Sequence, residues 1–130
     1  MQNICLTCAE DPTSHSFSKL CVLDNVSIYY TKPSAASKYS DSEGILTHID
    51  NTLALNNGRQ WSWTIDGQGF GMRHAMQLNV VMGVLKLLTT KYNDSLVTIR
   101  VVNVNSAIKY CYRLMSSLSS STLLAKAVFE

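Results

Sequence analysis

The chain has 130 residues, 46% of them apolar and 15% charged, with a formal net charge of +2. That length makes one domain with room for a core, and so few charges exclude a solvated, disordered tail. A charge this small does not imply nucleic acid, and none is expected as a partner, although it permits contact with anionic lipid headgroups.

Residues 1–18 show no periodicity. The stretch from Met1 to Leu6 has neither a basic start nor a long apolar run, so no secretory signal is read there and a soluble, cytoplasmic chain is expected. Asp11-Pro12 and the Ser/Thr cluster after it mark a loop, and residues 1–18 are expected to be a loop or a poorly ordered segment. Four cysteines occur, Cys5, Cys8, Cys21 and Cys111. Cys5-x-x-Cys8 has the look of half a zinc site, which His15 and Cys21 would complete with soft ligands. The spacing between the halves matches no common zinc module. Reduced thiols in a cytosolic domain are the favoured reading, and no metal is expected.

Lys19–Leu23 and Val26–Thr31 are β-rich runs separated by Asp24-Asn25, two residues that tolerate positive φ, which predicts a tight hairpin. Pro33 ends the second strand, since it cannot donate to a ladder. Asp41 or Ser42 can cap a helix to about Leu55, with Ile45, Leu46, Ile49 and Leu53 on one stripe. Asn56-Asn57-Gly58 stops it. WSWTID, residues 61–66, reads as a strand closed by a Gly-rich turn. Apolar residues at Ala75, Leu78, Val81, Met82, Leu85 and Leu88 then predict a long helix over 72–92. Lys86, Lys91 and Arg73 interrupt it, so it is not a membrane span. TIRVVNV is the next strand. A helix to about Leu118 follows, carrying Ala107, Ile108, Cys111, Leu114 and Met115 on one side, and Ala125–Phe129 is the last strand.

The order β-β-α-β-α-β-α-β predicts an α/β domain over residues 1–130. A hairpin followed by three right-handed crossovers gives a mixed, mostly parallel five-stranded sheet with helices packed on it.

Catalytic patterns are absent. The turn Asp66-Gly67-Gln68-Gly69-Phe70-Gly71 lacks both the G-x-G-x-x-G order and the G-K-[ST] of a phosphate loop. No G-x-S-x-G elbow occurs, and Asp50, Asp66 and Asp94 form no recognisable carboxylate pair. His48 and His74 have no Cys or acidic partner at metal spacing and read as half-buried or surface residues. Trp61 and Trp63 alternate, so both face one side of the sheet, as core or as the wall of an apolar hollow.

W-S-W-T-I-D-G-Q-G-F, the long apolar helix, Y-N-D-S-L-V-T-I-R-V-V-N and the final strand together resemble the CRAL-TRIO lipid-binding domain family. That is the fold of phosphatidylinositol and phosphatidylcholine transfer proteins. Tyr92, Leu96, Ile99, Val101, Val102 and Asn103 fall in step with one family segment, and Lys126 lands on the family's strand lysine. The resemblance covers Trp61 to the end. It implies a non-catalytic lipid-binding or lipid-transfer module without a cofactor other than bound phospholipid. It implies that Asp94 and Lys126 hold the lipid headgroup, an acid toward hydroxyls and an ammonium toward phosphate. The implied lipid pocket draws on Trp61, Trp63, Leu78, Met82 and Val102. Asn93 stands for the family's Pro, Ser95 for its Arg, and Asp94 is one methylene shorter than Glu. The family's helical N-terminal lobe and gate helix have no counterpart here, so the apolar face is expected to be covered by a second copy or a transient membrane contact. The expected partners are therefore a phospholipid, a membrane surface and a homodimer mate. The alternative is an interaction or dimerisation domain that kept the fold and lost the pocket.

Overall fold

The computed structural model describes residues 5–117 and 121–130. After a one-turn helix, α1 (Leu6–Glu10), the chain enters a hairpin of β1 (Ser18–Leu23) and β2 (Val26–Thr31). Asp24 and Asn25 adopt φ of 51° and 66°, which is the backbone that closes a two-residue turn with the twist of the strands. Then come α2 (Ser42–Ala54), β3 (Trp61–Asp66), α3 (Met72–Ala75), α4 (Leu78–Leu87), β4 (Leu96–Val102), α5 (Ser106–Ser116), α6 (Ser121–Leu124) and β5 (Ala127–Phe129). The helix end expected at Leu118, together with Ser119, Ser120 and Met1 to Ile4, lies outside the described residues.

The five strands stand side by side in chain order, β1 antiparallel to β2 and every later pair parallel. The expected mixed α/β sheet is what forms. Right-handed crossovers that all step in one direction place their helices on one face of the sheet. Strand pleating agrees with this. Tyr29, Trp63, Ile65, Ile99 and Val101 point toward the helices, and Trp63 sits beside both Tyr29 and Ile99 in the register. Their neighbours Ser62, Thr64, Thr98, Arg100 and Val128 form the opposite face, and all are at least partly exposed.

The long helix predicted over 72–92 is three pieces. Its first turn, α3, ends at Ala75, and the backbone turns at Gln77 (ψ 72°) before α4 begins. Residues 88–92 close with the wider π-type turn. There the Thr89 hydroxyl donates to the Leu85 carbonyl at 3.0 Å and Thr90 to that of Lys86 at 2.7 Å, so side chains compete for the carbonyls that an α-helix would use. Helix α2 starts as expected, with the Asp41 carboxylate accepting from the Gly44 N–H at 3.1 Å. It packs closely on α4 at Gly83, where a Cβ would meet Leu46 Cδ1 at 2.5 Å.

Two groups of buried side chains result. The larger gathers Phe17, Tyr29, Trp61 and Trp63 with Ile45, Ile49 and Leu53 of α2 and Val80, Leu85 and Leu88. Phe17 stacks on Tyr29 at 5.1 Å between ring centroids and meets both tryptophans edge-on. The smaller gathers Phe70, Ala75 and Val101 with Ala107 and Ile108 of α5. Ile65 and Ile99 touch both groups. Among the described residues no helix is long and apolar enough to cross a membrane.

Candidate functional site

The two groups do not close completely on one another. Between them lies a cavity of about 200 Å³. Its floor is the helix-side face of the sheet: Thr31, Trp63, Ile65, Ile99, Val101, Ala127 and Phe129. Its roof comes from Ile45 and Ile49 of α2, Val80, Val81 and Val84 of α4, and Ile108, Cys111, Tyr112 and Met115 of α5. Leu123 and Leu124 of α6 close one side. Tyr112 and Phe129 line the cavity yet stay 36% and 40% exposed, so they mark its opening, and their rings meet edge-to-face at 4.6 Å.

The few polar atoms on the wall are mostly satisfied. Trp63 Nε1 donates to Thr31 Oγ1 at 2.8 Å. Burial, with a smaller contribution from Cys111, pushes the Tyr39 phenol well above its ordinary range. Burial also pushes the Cys111 thiol up. Both therefore stay protonated at neutral pH, and the hollow is an apolar, uncharged space.

Of the five residues expected to line a lipid pocket, Trp63 does so and four lie elsewhere. Trp61 shares the face of Trp63 but sits two residues earlier, where Phe17 and Tyr29 seal it; it is 1% exposed, and its Nε1 donates to Ser95 Oγ at 3.1 Å. Val102 lies on the other side of the sheet, because adjacent strand residues alternate and Val101 takes the cavity side. Leu78 and Met82 are exposed. Val81, Leu85 and Leu88 of the expected stripe do turn inward, and the break at Gln77 shifts the helical phase so that Val80 and Val84 join them in place of Leu78 and Met82.

Asp94 lies exposed in the turn before β4. Lys126, just ahead of β5, reaches the neighbouring residue, and its ammonium donates to the Asn93 carbonyl and to Asn93 Oδ1, the latter at 3.2 Å. Among the described residues these are the two acceptors the ammonium meets. The lysine is thus placed next to the Asp94 turn, at the sheet edge formed by β5.

The stretch WTIDGQG, together with VVN, has a structural use. Asp66 Oδ2 accepts from the Tyr30 hydroxyl at 2.7 Å, and Oδ1 accepts from Asn103 Nδ2 at 2.8 Å and from the Gln68 N–H at 2.9 Å. These donors, Asn103 first, hold its pKa at about 2. Gly67 lies so close to the Asn103 carbonyl that a Cβ would stand 2.7 Å from it. Asn105 donates to the Gly67 and Phe70 carbonyls and caps α5. The set pins the ends of β2, β3 and β4 together.

His74 is 1% exposed, more buried than expected. It stacks on Phe70, meets Tyr39 edge-on, and accepts from the Gly71 N–H at 2.9 Å. His48 has partners that its sequence neighbourhood hides. Cys5, Cys8, His15 and His48 bring four potential metal-ligand atoms within 4.8 Å of one another, whereas Cys21 is exposed on β1 and outside the cluster. The sequence offers the first three with Cys21 as a zinc set but favours free thiols, and it gives no sign of His48, which lies 33 residues beyond His15 on a different element.

No family model matches the sequence, and no curated protein does. Twenty-one chains of solved structures match. One, the crystal structure of Sfh5, has a TM-score of 0.72 and 13% identity, over 99% of this chain and 51% of that one. The chain therefore spans about half the length of that protein, and at such identity the likeness is one of fold: a mixed α/β sheet of CRAL-TRIO type.

Proposed function

We propose that the chain is a non-catalytic binding module for an apolar chain, the acyl tail of a phospholipid or a similar lipid, taken up at a membrane surface. The observation that carries this reading is the open, uncharged hollow of about 200 Å³ walled by Trp63, Ile65, Ile99 and three helices. Well-packed interiors rarely leave a void of this size. An engineered apolar cavity of about 150 Å³ binds benzene, while drug-sized ligands need roughly 300 Å³ or more. The hollow therefore suits one end of a single hydrocarbon chain, with the remainder of the lipid outside the Tyr112–Phe129 opening.

Asp94 and Lys126 are the residues we propose for the headgroup. Lys126 lies just ahead of β5, bonded to Asn93 beside Asp94 in the turn before β4, and Phe129 at the far end of β5 is roughly 10 Å from Lys126 by strand rise, so tail and headgroup would share one edge of the sheet. The fold likeness to Sfh5 supports a CRAL-TRIO-like scaffold for this use. A cytoplasmic location, peripheral to membranes, goes with it.

Native mass spectrometry of the purified protein tests the reading. The expected result is a co-purifying lipid mass that Ile99→Trp abolishes and transfer of that lipid between vesicles that Lys126→Ala weakens. Absence of any lipid adduct together with absence of transfer would end it.

A second reading, an interaction or dimerisation domain, is supported by β1. Leu20, Val22 and Leu23 of this edge strand are 60%, 46% and 61% exposed. Sedimentation distinguishes it: a concentration-dependent dimer supports this reading, and a monomer at high concentration removes it.

A further inference from the structure

We propose that Cys5, Cys8, His15 and His48 bind one zinc ion that fastens the N-terminal segment to α2. Local chemistry brings the ligands together. Cys5 caps α1 and Cys8 lies three residues on, so one helical turn puts both thiols on the same side. The chain then reverses. The Asp11 carboxylate accepts from the Thr13 N–H at 3.1 Å, and the Asp11 carbonyl accepts from the Ser14 N–H at 3.0 Å, which returns His15 toward the thiols. His48 arrives from α2.

The distances fit a tetrahedral ion. His15 Nδ1 lies 3.4 Å from Cys5 Sγ and 3.5 Å from Cys8 Sγ, and His48 Nδ1 lies 3.6 Å from Cys8 Sγ. A tetrahedron with Zn–S of about 2.3 Å and Zn–N of about 2.0–2.1 Å has S···N edges of about 3.5–3.6 Å.

The ring orientations point the same way. His48 Nε2 sits 2.9 Å from the Phe17 carbonyl, which can only accept, so that nitrogen carries the proton and Nδ1 turns a lone pair to the sulfur. His15 Nε2 sits 3.1 Å from Asp41 Oδ2, the same carboxylate group that caps α2. Backbone carbonyls and carboxylates hold metal-ligating histidines in this manner, fixing the tautomer and the ring plane. Two thiol hydrogens can serve the two imidazole lone pairs but leave the Cys8–His15 contact unfilled. There are three S···N contacts but two thiol hydrogens, and Cys8 faces both rings. A cation satisfies all four lone pairs. Binding expels the two thiol protons, and two thiolates with two neutral imidazoles leave a zinc site of zero net charge, suited to its part-buried position. Four protein ligands leave no open coordination position, so the ion is structural rather than catalytic.

Its mechanical effect reaches the cavity. The ion ties His15 to His48, and the His48–Phe17 bond carries that tie to the ring that seals Trp61 and Trp63.

Metal analysis of protein purified under reducing conditions with zinc present tests the proposal. About one zinc per chain is expected. Cys8→Ser and His48→Ala should each lower retained zinc on the order of tenfold after dialysis, while Cys21→Ser keeps it. Cobalt(II) added to the unmodified chain, after chelator removes the zinc, should give the intense visible absorption of a tetrahedral thiolate site, which keeps the test decisive if a variant fails to fold. A cobalt spectrum of octahedral aqua type overturns the proposal, as does loss of zinc in Cys21→Ser with retention in His48→Ala.

Discussion

Filling the hollow is the most direct test that it exists in solution. Val84 of α4 is half-buried, packs against the larger core group and lines the cavity, so Val84→Phe directs a ring into the space. At roughly 24 cal/mol per Å³, an empty cavity of about 200 Å³ costs about 5 kcal/mol relative to a filled one, which is the upper bound on the gain. Phe adds four heavy atoms. At about 0.8 kcal/mol for each buried carbon the gross gain is about 3 kcal/mol, reduced by ordering the ring and by imperfect fit. A net stabilisation of about 1–2 kcal/mol is expected, or about 4–8 °C in Tm for a chain of this size. Urea unfolding of delipidated protein, followed by fluorescence of the buried tryptophans, measures it. Titration with the fluorescent fatty acid cis-parinaric acid is the second readout, and binding should weaken at least about tenfold, a change of about 1.4 kcal/mol. If Val84→Phe destabilises the protein by more than about 1 kcal/mol, as overpacking does, and leaves parinaric acid binding unchanged, the hollow is not a ligand site.

Three further outcomes follow from the geometry. Gly67→Ala should cost about 1–3 kcal/mol in unfolding free energy, since its Cβ would stand 2.7 Å from the Asn103 carbonyl and 3.0 Å from Ile108 Cγ1; an unchanged urea midpoint would contradict that crowding. Asp66, with its pKa held at about 2, contributes about 2 kcal/mol that is present above its unfolded pKa near 4 and is lost as pH falls through 2. Stability measured from pH 5 to 2 should therefore fall less steeply in Asp66→Asn than in the parent, and parallel profiles would show that another group controls the acid limb. Ser27 donates to Asn56 Oδ1 at 2.7 Å with both residues buried, so Ser27→Ala should cost about 1–3 kcal/mol by leaving that oxygen without its donor, read as a lowered thermal midpoint.

The readings that succeeded were those in which local chemistry decides the outcome. Asp24-Asn25 announced the hairpin because few other residues accept that backbone, and the pair Asp41-Ser42 announced the start of α2, where the Asp41 carboxylate is the one that satisfies a free N–H group. The parallel order followed from counting crossovers. The readings that failed depend on phase or on distant partners. Periodicity over 72–92 picks out Ala75, Val81, Leu85 and Leu88, which are buried, but the turn at Gln77 shifts the phase of α4 and leaves Leu78 and Met82 exposed. Val101 and Val102 are equivalent in composition, and only pairing with β3 decides which one faces the helices. The one-turn α1 is too short to produce a period at all. His48 looked solitary because a ligand set is assembled in space, and α2 carries it to Cys8 across 40 positions of chain.

A sheet whose neighbours stand in the order of synthesis has a consequence for how the molecule is made. Each new strand needs only the one before it as a template, so the sheet can grow outward by accretion, without waiting for a distant segment to be inserted between strands already joined. Contacts close in sequence shorten the loops to be closed and favour fast assembly. The cost falls on the growing end, where at every stage the most recent parallel strand offers unpaired amides to any passing extended peptide. Nascent chains halted after Val102 should accordingly be more prone to clumping than those that have reached Phe129, which supplies the last rung of the ladder opposite Val101.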